Sequence, residues 1–344
     1  MRNGPSGDGP QGVRSSGRPR TATRTWTRCA CSQHKPPARQ VAGPGLVSLA
    51  GILAEVPPSE SSSQPGPGSE PVLPADSHVH SEWSYDTGGQ ASMIASCQRA
   101  VDLGVPAVAF TEHLDFTDWG PGDAIAATGV KPGWWDAIRP LDVEGYLGSV
   151  ADCRERFPGL RIFTGVEAGE PHLFAGSTRA VLAAGRFDRV LGSLHALGHD
   201  GRLVNASSLL RTSPPHEVMR RYFTEVLALI GGSDAFQILA HPDYPRRHWP
   251  PSAGPYREAD FEDEYRAVLR ALAGSGRVLE VNTYSPLLSV NVLRWWREEG
   301  GTAVSFGSDA HVSWRVGDKF SRAVEIVEAA GFARGGDPFG FWRR

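Results

Sequence analysis

The sequence predicts an α/β fold, a parallel sheet of seven strands closed by seven helices into a (βα)7 barrel, preceded by a disordered N-terminal tail. Two observations carry this. From about residue 73 onward, short apolar runs rich in β-branched and aromatic side chains alternate with longer stretches of helical periodicity. Six of the strand-like runs also end in a residue type able to ligate a metal ion. Strict alternation implies parallel strands joined by helical crossovers, and strands apolar on both faces argue for closure with the helices outside. An open doubly wound sheet would place its site in a crevice at one switch point. Ligand-type residues on six strands favour a ring of strand ends, where the functional residues of such barrels gather.

The expected strands lie near 73–79, 106–111, 161–166, 189–194, 236–240, 277–282 and 302–307. The expected helices lie near 91–103, 143–156, 177–185, 215–230, 259–273, 288–299 and 319–330. Gly104, Gly185, Gly231, Gly274, Gly300 and Gly331 stand at or beside helix ends, where a residue without Cβ readily closes the last turn. The stretch from Leu114 to Leu141 is too long for an idle connection and carries Trp119, Trp134 and Trp135. It reads either as a lid over the strand ends or as a small satellite core.

Composition sets the remaining bounds. Residues 1–72 hold 11 of the 27 Pro and 8 basic against 4 acidic side chains, with too little periodic apolar content to offset chain entropy. The expected division is a disordered Pro/Gly/Arg-rich extension over 1–72 and a barrel over 73–344. The tail lacks the amphipathic helix of a transit peptide and the apolar segment of a secretory signal. It reads as a disordered extension or an overlong start. Cys29, Cys31 and His34 lack the second ligand pair that a structural zinc site needs. Residues 73–344 carry a net charge of −7, no footprint for nucleic acid. Four Cys, at 29, 31, 97 and 153, make no disulfide framework, and no apolar run is long enough to span a bilayer. A soluble cytoplasmic protein is expected, with no nucleic-acid or membrane partner.

The chemistry concentrates at the strand ends. His78 and His80 are two apart, so on a strand they share a face. Glu112 and His113 close Ala-Val-Ala-Phe-Thr, Glu167 closes Ile-Phe-Thr-Gly-Val, His195 closes Val-Leu-Gly-Ser-Leu, His241 closes Ile-Leu-Ala, and Asp309 and His311 follow Ala-Val-Ser-Phe-Gly-Ser. A single His after an apolar run is ordinarily a core or loop residue. Here six of 11 His fall at strand ends, while His34, His172, His199, His216 and His248 do not. Imidazole and carboxylate without thiolate suit Zn, Mn or Fe better than an all-oxygen Ca or Mg cage.

In order along the chain, Asp-Ser-His-Val-His-Ser, Thr-Glu-His, Gly-Val-Glu-Ala-Gly, Gly-Ser-Leu-His, Ala-His-Pro-Asp, Glu-Val-Asn-Thr and Gly-Ser-Asp-Ala-His resemble the successive motifs of the polymerase and histidinol phosphatase (PHP) superfamily. The resemblance spans about 75–316. It implies a distorted (βα)7 barrel with two or three divalent transition-metal ions. It also implies a first ion held by His78, His80, Glu167 and Asp309, a second by His195, His241 and the bridging Glu167, and a third by Asp86, His113 and His311. Asp86 departs from the His that histidinol phosphatases often have there.

Two ions sharing a carboxylate can activate water at neutral pH and neutralise a phosphate monoester during in-line attack. Glu167, His195 and Asp309 are therefore the expected catalytic centre. A further cation is expected from Arg246 or Arg247, with Arg246 the candidate and a solvated loop the alternative. Glu112 and Asp243 flank ligands and are placed to orient them, and Asn282 either bonds a ligand or caps its strand. Among superfamily members the chain is most similar to histidinol phosphatases, which implies L-histidinol phosphate as substrate. The same ligands in related barrels hydrolyse nucleotide 3'-phosphates, short RNA or other sugar phosphates, and a metal-binding barrel without turnover is the remaining alternative. The Leu114–Leu141 stretch supplies Asp115, Asp118, Asp123 and Asp136 against Lys131 and Arg139, which favours a cationic organic part over a nucleotide.

Overall fold

The structure, a computed structural model, describes residues 72–117 and 139–344. The tail, the Cys29, Cys31 and His34 cluster, and Trp119, Trp134, Trp135, Asp118, Asp123, Lys131 and Asp136 of the lid candidate lie outside the described residues.

Seven strands run parallel in chain order: β1 (Asp76–Val79), β2 (Ala107–Leu114), β3 (Arg161–Gly169), β4 (Arg189–Ser193), β7 (Ile238–Leu239), β8 (Val278–Asn282) and β9 (Ala303–Gly307). The sheet curls until its ends meet past β9, where Asp309 N donates to His78 O at 2.7 Å and His80 N to Ala310 O at 3.0 Å. This is the distorted (βα)7 barrel. Between the strands lie α1 (Met93–Leu103), α2 (Val143–Arg156), α3 (Ala175–Ala184), the short α4 (Ala206–Leu209), α5 (Pro215–Gly232), α6 (Glu262–Gly274), α7 (Val290–Glu298) and α8 (Phe320–Ala329).

Local chemistry accounts for these bounds. Ser92 caps α1 by accepting from Ala95 N, and Gly104 ends it at φ 73. Asp142 and Ser289 cap α2 and α7 through their side chains. All eight residues of β2 are buried, because helices cover one face and the barrel interior the other.

Besides the short α4, two features exceed the seven units read from the sequence. β10 (Trp342–Arg343) adds antiparallel to β9. A hairpin of β5 (Ala196–His199) and β6 (Arg202–Asn205) is inserted directly after His195. Its turn is Asp200–Gly201, both at positive φ (49° and 77°), the twist that favours two-residue hairpins. The expected strand over 236–240 is reduced to two residues.

α2 is tied to the sheet by Arg154, which donates to Ile162 O, and by one buried hydroxyl. Tyr146, fully buried, donates to Phe110 O at 2.7 Å and accepts from Gly165 N at 2.8 Å, joining β2 to β3 just below the ligand-bearing ends. Tyr146→Phe leaves a buried carbonyl and a buried N–H without this partner. It should cost about 1–3 kcal/mol, read as a lower denaturant midpoint with an unchanged slope.

Candidate metal centre

The strand register brings the ligand-type residues together. His113 on β2 lies directly opposite Glu167 on β3. His78 and His80 share the inward face of β1, with their Nε2 atoms 3.1 Å apart. Glu167 is the hub. Its Oε1 is 2.7 Å from His241 Nε2 and 3.3 Å from His195 Nε2, and its Oε2 is 3.3 Å from His78 Nε2, 3.4 Å from His80 Nε2 and 3.1 Å from His113 Nδ1. Asp309 Oδ1 faces His78, His80 and His311 at 3.4–3.6 Å. Asp86 Oδ2 lies 2.9 Å from His311 Nε2 and 3.2 Å from His113 Nε2. Ligand atoms within 4.8 Å of one another include the groups His78, His80 and Asp309; Glu167, His195 and His241; and His80, His113 and His311.

The atoms fit cations better than they fit one another. Glu167 Oε2, though buried among three imidazoles, has no aligned hydrogen bond, and His113 Nδ1, His241 Nδ1 and Asp86 Oδ1 are likewise without a partner. Most of the rings are oriented from behind. His78 Nδ1 meets Glu280 Oε1 at 2.6 Å, and His195 Nδ1 meets Asp115 Oδ1 at 3.4 Å. His311 Nδ1 meets the Asp309 carbonyl at 3.0 Å, and His80 Nδ1 meets Ser84 Oγ at 2.9 Å. Ser84 in turn donates to Glu112 at 2.6 Å. A donated Nδ1–H leaves Nε2 as a lone pair aimed inward, the arrangement a ligating imidazole needs.

Burial by itself favours neutral forms here, and close opposite charges outweigh it. Against burial, the imidazoles hold Glu167 and Asp86 well below the usual carboxylate range, and Arg247 with His78 does the same to Asp309. Against burial, the carboxylates hold His78 and His195 well above the ordinary imidazole value and bring His113 to about 9. His241 is the exception, lowered chiefly by burial.

A cavity of about 180 Å³ opens on this cluster. Asp86, His113, Glu167, His195, His241, Asp309 and His311 line it, with His78 and His80 fully buried beneath. The other wall is Tyr85, Asn205, Tyr244, Arg247, His248 and Tyr284. Of the two neighbouring arginines, Arg247 is the one that faces the site. Its Nη2 lies 2.5 Å from Asp309 Oδ2 and 3.3 Å from Asn282 Oδ1, and its guanidinium packs on the rings of Tyr244 and Tyr284. Arg246, the expected cation, points elsewhere. It pairs with Asp243 at 3.1 Å and Glu258 at 2.8 Å and covers Tyr256.

Other expectations are corrected in the same way. Asp243 orients no ligand ring, since its carboxylate accepts from Arg246 and Tyr265. Asp115, assigned to the lid as a substrate contact, is buried behind His195 and accepts from Tyr85 OH at 2.6 Å. Glu112 does act behind a ligand, through Ser84. Asn282 fills both expected roles, accepting from Tyr284 N and Ser285 N at the strand end and donating to Asp309. Of the histidines set aside, His172 pairs with Glu225 and His216 stacks on Phe261, but His248 lines the cavity. Glu280 went unnoticed, although an acid inside the apolar run Val-Leu-Glu-Val-Asn was its signal.

The PHP domain model matches residues 76–284, which is more than half of the chain. This chain belongs to the PHP domain family. The match includes seven of the nine ligand-type residues, and Asp309 and His311 lie beyond it. Among curated relatives, the probable histidinol-phosphatase of Clostridium acetobutylicum is 24% identical over 259 residues, covering 74% of this chain and 92% of that protein. The histidinol-phosphatase of Lactococcus lactis is 25% identical over 268 residues, covering 75% and 91%. The fold is also that of a solved histidinol phosphate phosphatase from Lactococcus lactis, complexed with Zn, L-histidinol and phosphate. That likeness has a TM-score of 0.62 at 22% identity, over 75% of this chain and 94% of the other.

Without ions, protons on these imidazoles would supply the charge balance that divalent ions supply when bound. Metal binding should therefore release protons, and affinity should rise with pH, about tenfold per unit for each proton displaced, until His113 titrates near 9. Zinc titrations by calorimetry in buffers of different ionisation enthalpy measure the release. Affinity independent of pH between 6 and 9 would contradict these charge states.

Proposed function

We propose that this protein is a metal-dependent phosphomonoesterase that converts L-histidinol phosphate and water to L-histidinol and phosphate, in histidine biosynthesis in the cytoplasm. The observation that carries the reading is the convergence of nine imidazole and carboxylate side chains, with one partly buried arginine, around a small cavity. The names of the relatives, and the solved neighbour's complex with L-histidinol and phosphate, support the substrate.

His78, His80, Glu167 and Asp309 would hold the first ion, His195, His241 and Glu167 the second, and Asp86, His113 and His311 the third, with Zn, Mn or Fe suited to the donor set. Such ions would supply Lewis-acid charge and activate water. The chain's own contribution is positional. Glu167 sets the spacing of the first two sites. Arg247, held by Asp309 and Asn282 and kept protonated by Asp309 against burial, offers a fixed cation to a phosphoryl oxygen. Asp309 thereby holds the cation beside the residues that would bind the ions.

The remaining wall favours a small organic part. Tyr85, Asn205, Tyr244, His248 and Tyr284 carry no formal charge at neutral pH, with His248 lowered by burial and by Arg247. The ring of Tyr85 suits an ammonium or an imidazole, whereas those of Tyr244 and Tyr284 already carry Arg247. Among the described lining residues outside the ligand cluster, Arg247 is the one permanent cation, which favours a substrate with a single phosphate. The cavity volume of about 180 Å³ also falls below the roughly 300–1,000 Å³ of pockets for drug-sized ligands.

A phosphate-release screen tests the proposal. Histidinol phosphate should exceed nucleoside monophosphates in kcat/KM by about 10²-fold or more, and Arg247→Ala should remove about 10²-fold of it. Glu167→Gln should abolish release and lower bound metal. Faster hydrolysis of a nucleoside 3',5'-bisphosphate or short RNA would overturn the substrate, and no release from any monoester would leave a non-catalytic metal-binding barrel.

A further inference from the structure

Glu280 is an acid in the middle of an apolar strand, fully buried with its head inside the barrel. A buried carboxylate persists only where its oxygens are met. Both are met, and by residues of two different ligand groups. Oε1 accepts from His78 Nδ1 at 2.6 Å. Oε2 accepts from the backbone N–H of His241 at 2.7 Å and from Asn282 Nδ2 at 3.1 Å. The space for this head is made by Gly307 on the neighbouring strand. A Cβ there would stand 2.1 Å from Glu280 Oε1 and 2.6 Å from His78 Cβ. Gly307 is not at positive φ, so room and not backbone conformation requires the glycine.

We infer that Glu280 is a positioning residue that ties the two buried ion sites together, and that Gly307 is the residue that admits it. Oε1 takes the Nδ1–H of His78 and leaves its Nε2 lone pair facing Glu167 and Asp309. Oε2 fixes the backbone of His241, whose φ of 22° lies where non-glycine residues rarely sit and where a firm partner is needed. One carboxylate therefore sets a ring in the first site and a backbone in the second. Glutamine cannot do both, because an amide has one acceptor oxygen. Either His78 Nδ1 or the His241 N–H then faces an NH2 group. Facing His78, that group turns the Nε2 lone pair into an N–H.

The inference rests on His78 and His241 being ligands, and the test separates the two. The probe is zinc, titrated into metal-free full-length protein against a chromophoric chelator, with thermal unfolding alongside. Glu280→Gln should weaken both buried zinc ions together, by about 10–100-fold each. Gly307→Ala keeps the carboxylate but displaces it, and should give the same paired loss, so either variant that folds is informative. Trp296→Phe, which loses a buried hydrogen bond to Ala303 O at the end of the strand opposite the ligands, should bind zinc as the unaltered protein does. Loss confined to one ion, or affinity equal to that of Trp296→Phe, would overturn the coupling. Unweakened zinc binding in His78→Ala would overturn the ligand assignment itself, and the inference with it.

Discussion

One buried carboxylate among five imidazoles governs this structure. Glu167 lies within 3.4 Å of ring nitrogens of His78, His80, His113, His195 and His241, and all six residues are almost wholly removed from solvent. Charge taken out of water is costly unless matched nearby. The cluster therefore has to be balanced by protons or by cations. The partnerless Oε2 of Glu167 favours cations, since protons alone leave that atom without an aligned bond.

The barrel exists, in this view, to hold those groups against their mutual cost. Closure through Asp309 N to His78 O fixes the first strand against the last, and so fixes two carboxylate–imidazole contacts at once. Strain is retained where ligands must point inward: His241 and Asp309 have positive φ, at 22° and 52°, a conformation costing on the order of 1–3 kcal/mol per residue. Glu170, at φ 47°, accepts from the backbone of His195 and Ala196 and from Thr117, holding the start of the hairpin that follows His195. Glu280, Asp115 and Glu112 complete a second layer of acids behind the rings.

Much of this was legible in the sequence because it follows from periodicity. The two-residue spacing of His78 and His80, and a ligand type at the end of each successive apolar run, reflect strand geometry directly. The helices fell within a few residues of expectation because their caps, such as Ser92, Asp142 and Ser289, are local. The hairpin after His195 was missed although Asp200–Gly201 is a strong turn signal, because its strands interrupt a βα unit. The choice between Arg246 and Arg247 was beyond sequence: adjacent residues in the 3-10 turn Tyr244–His248 point apart, and only tertiary partners decide which one faces the His and carboxylate cluster. Asp115 and Glu280 were illegible as orienting residues because what they touch, His195 and His78, lies 80 and 202 residues away in the chain.

If divalent ions, rather than protons, complete the charge balance around Glu167, elemental analysis of the purified full-length protein before and after dialysis against a strong chelator will show it. Two or three transition-metal ions per chain are expected before dialysis, with their removal by the chelator and recovery of the same stoichiometry on adding metal back. A protein that carries less than one ion per chain, and takes up none at micromolar zinc and neutral pH, would contradict it.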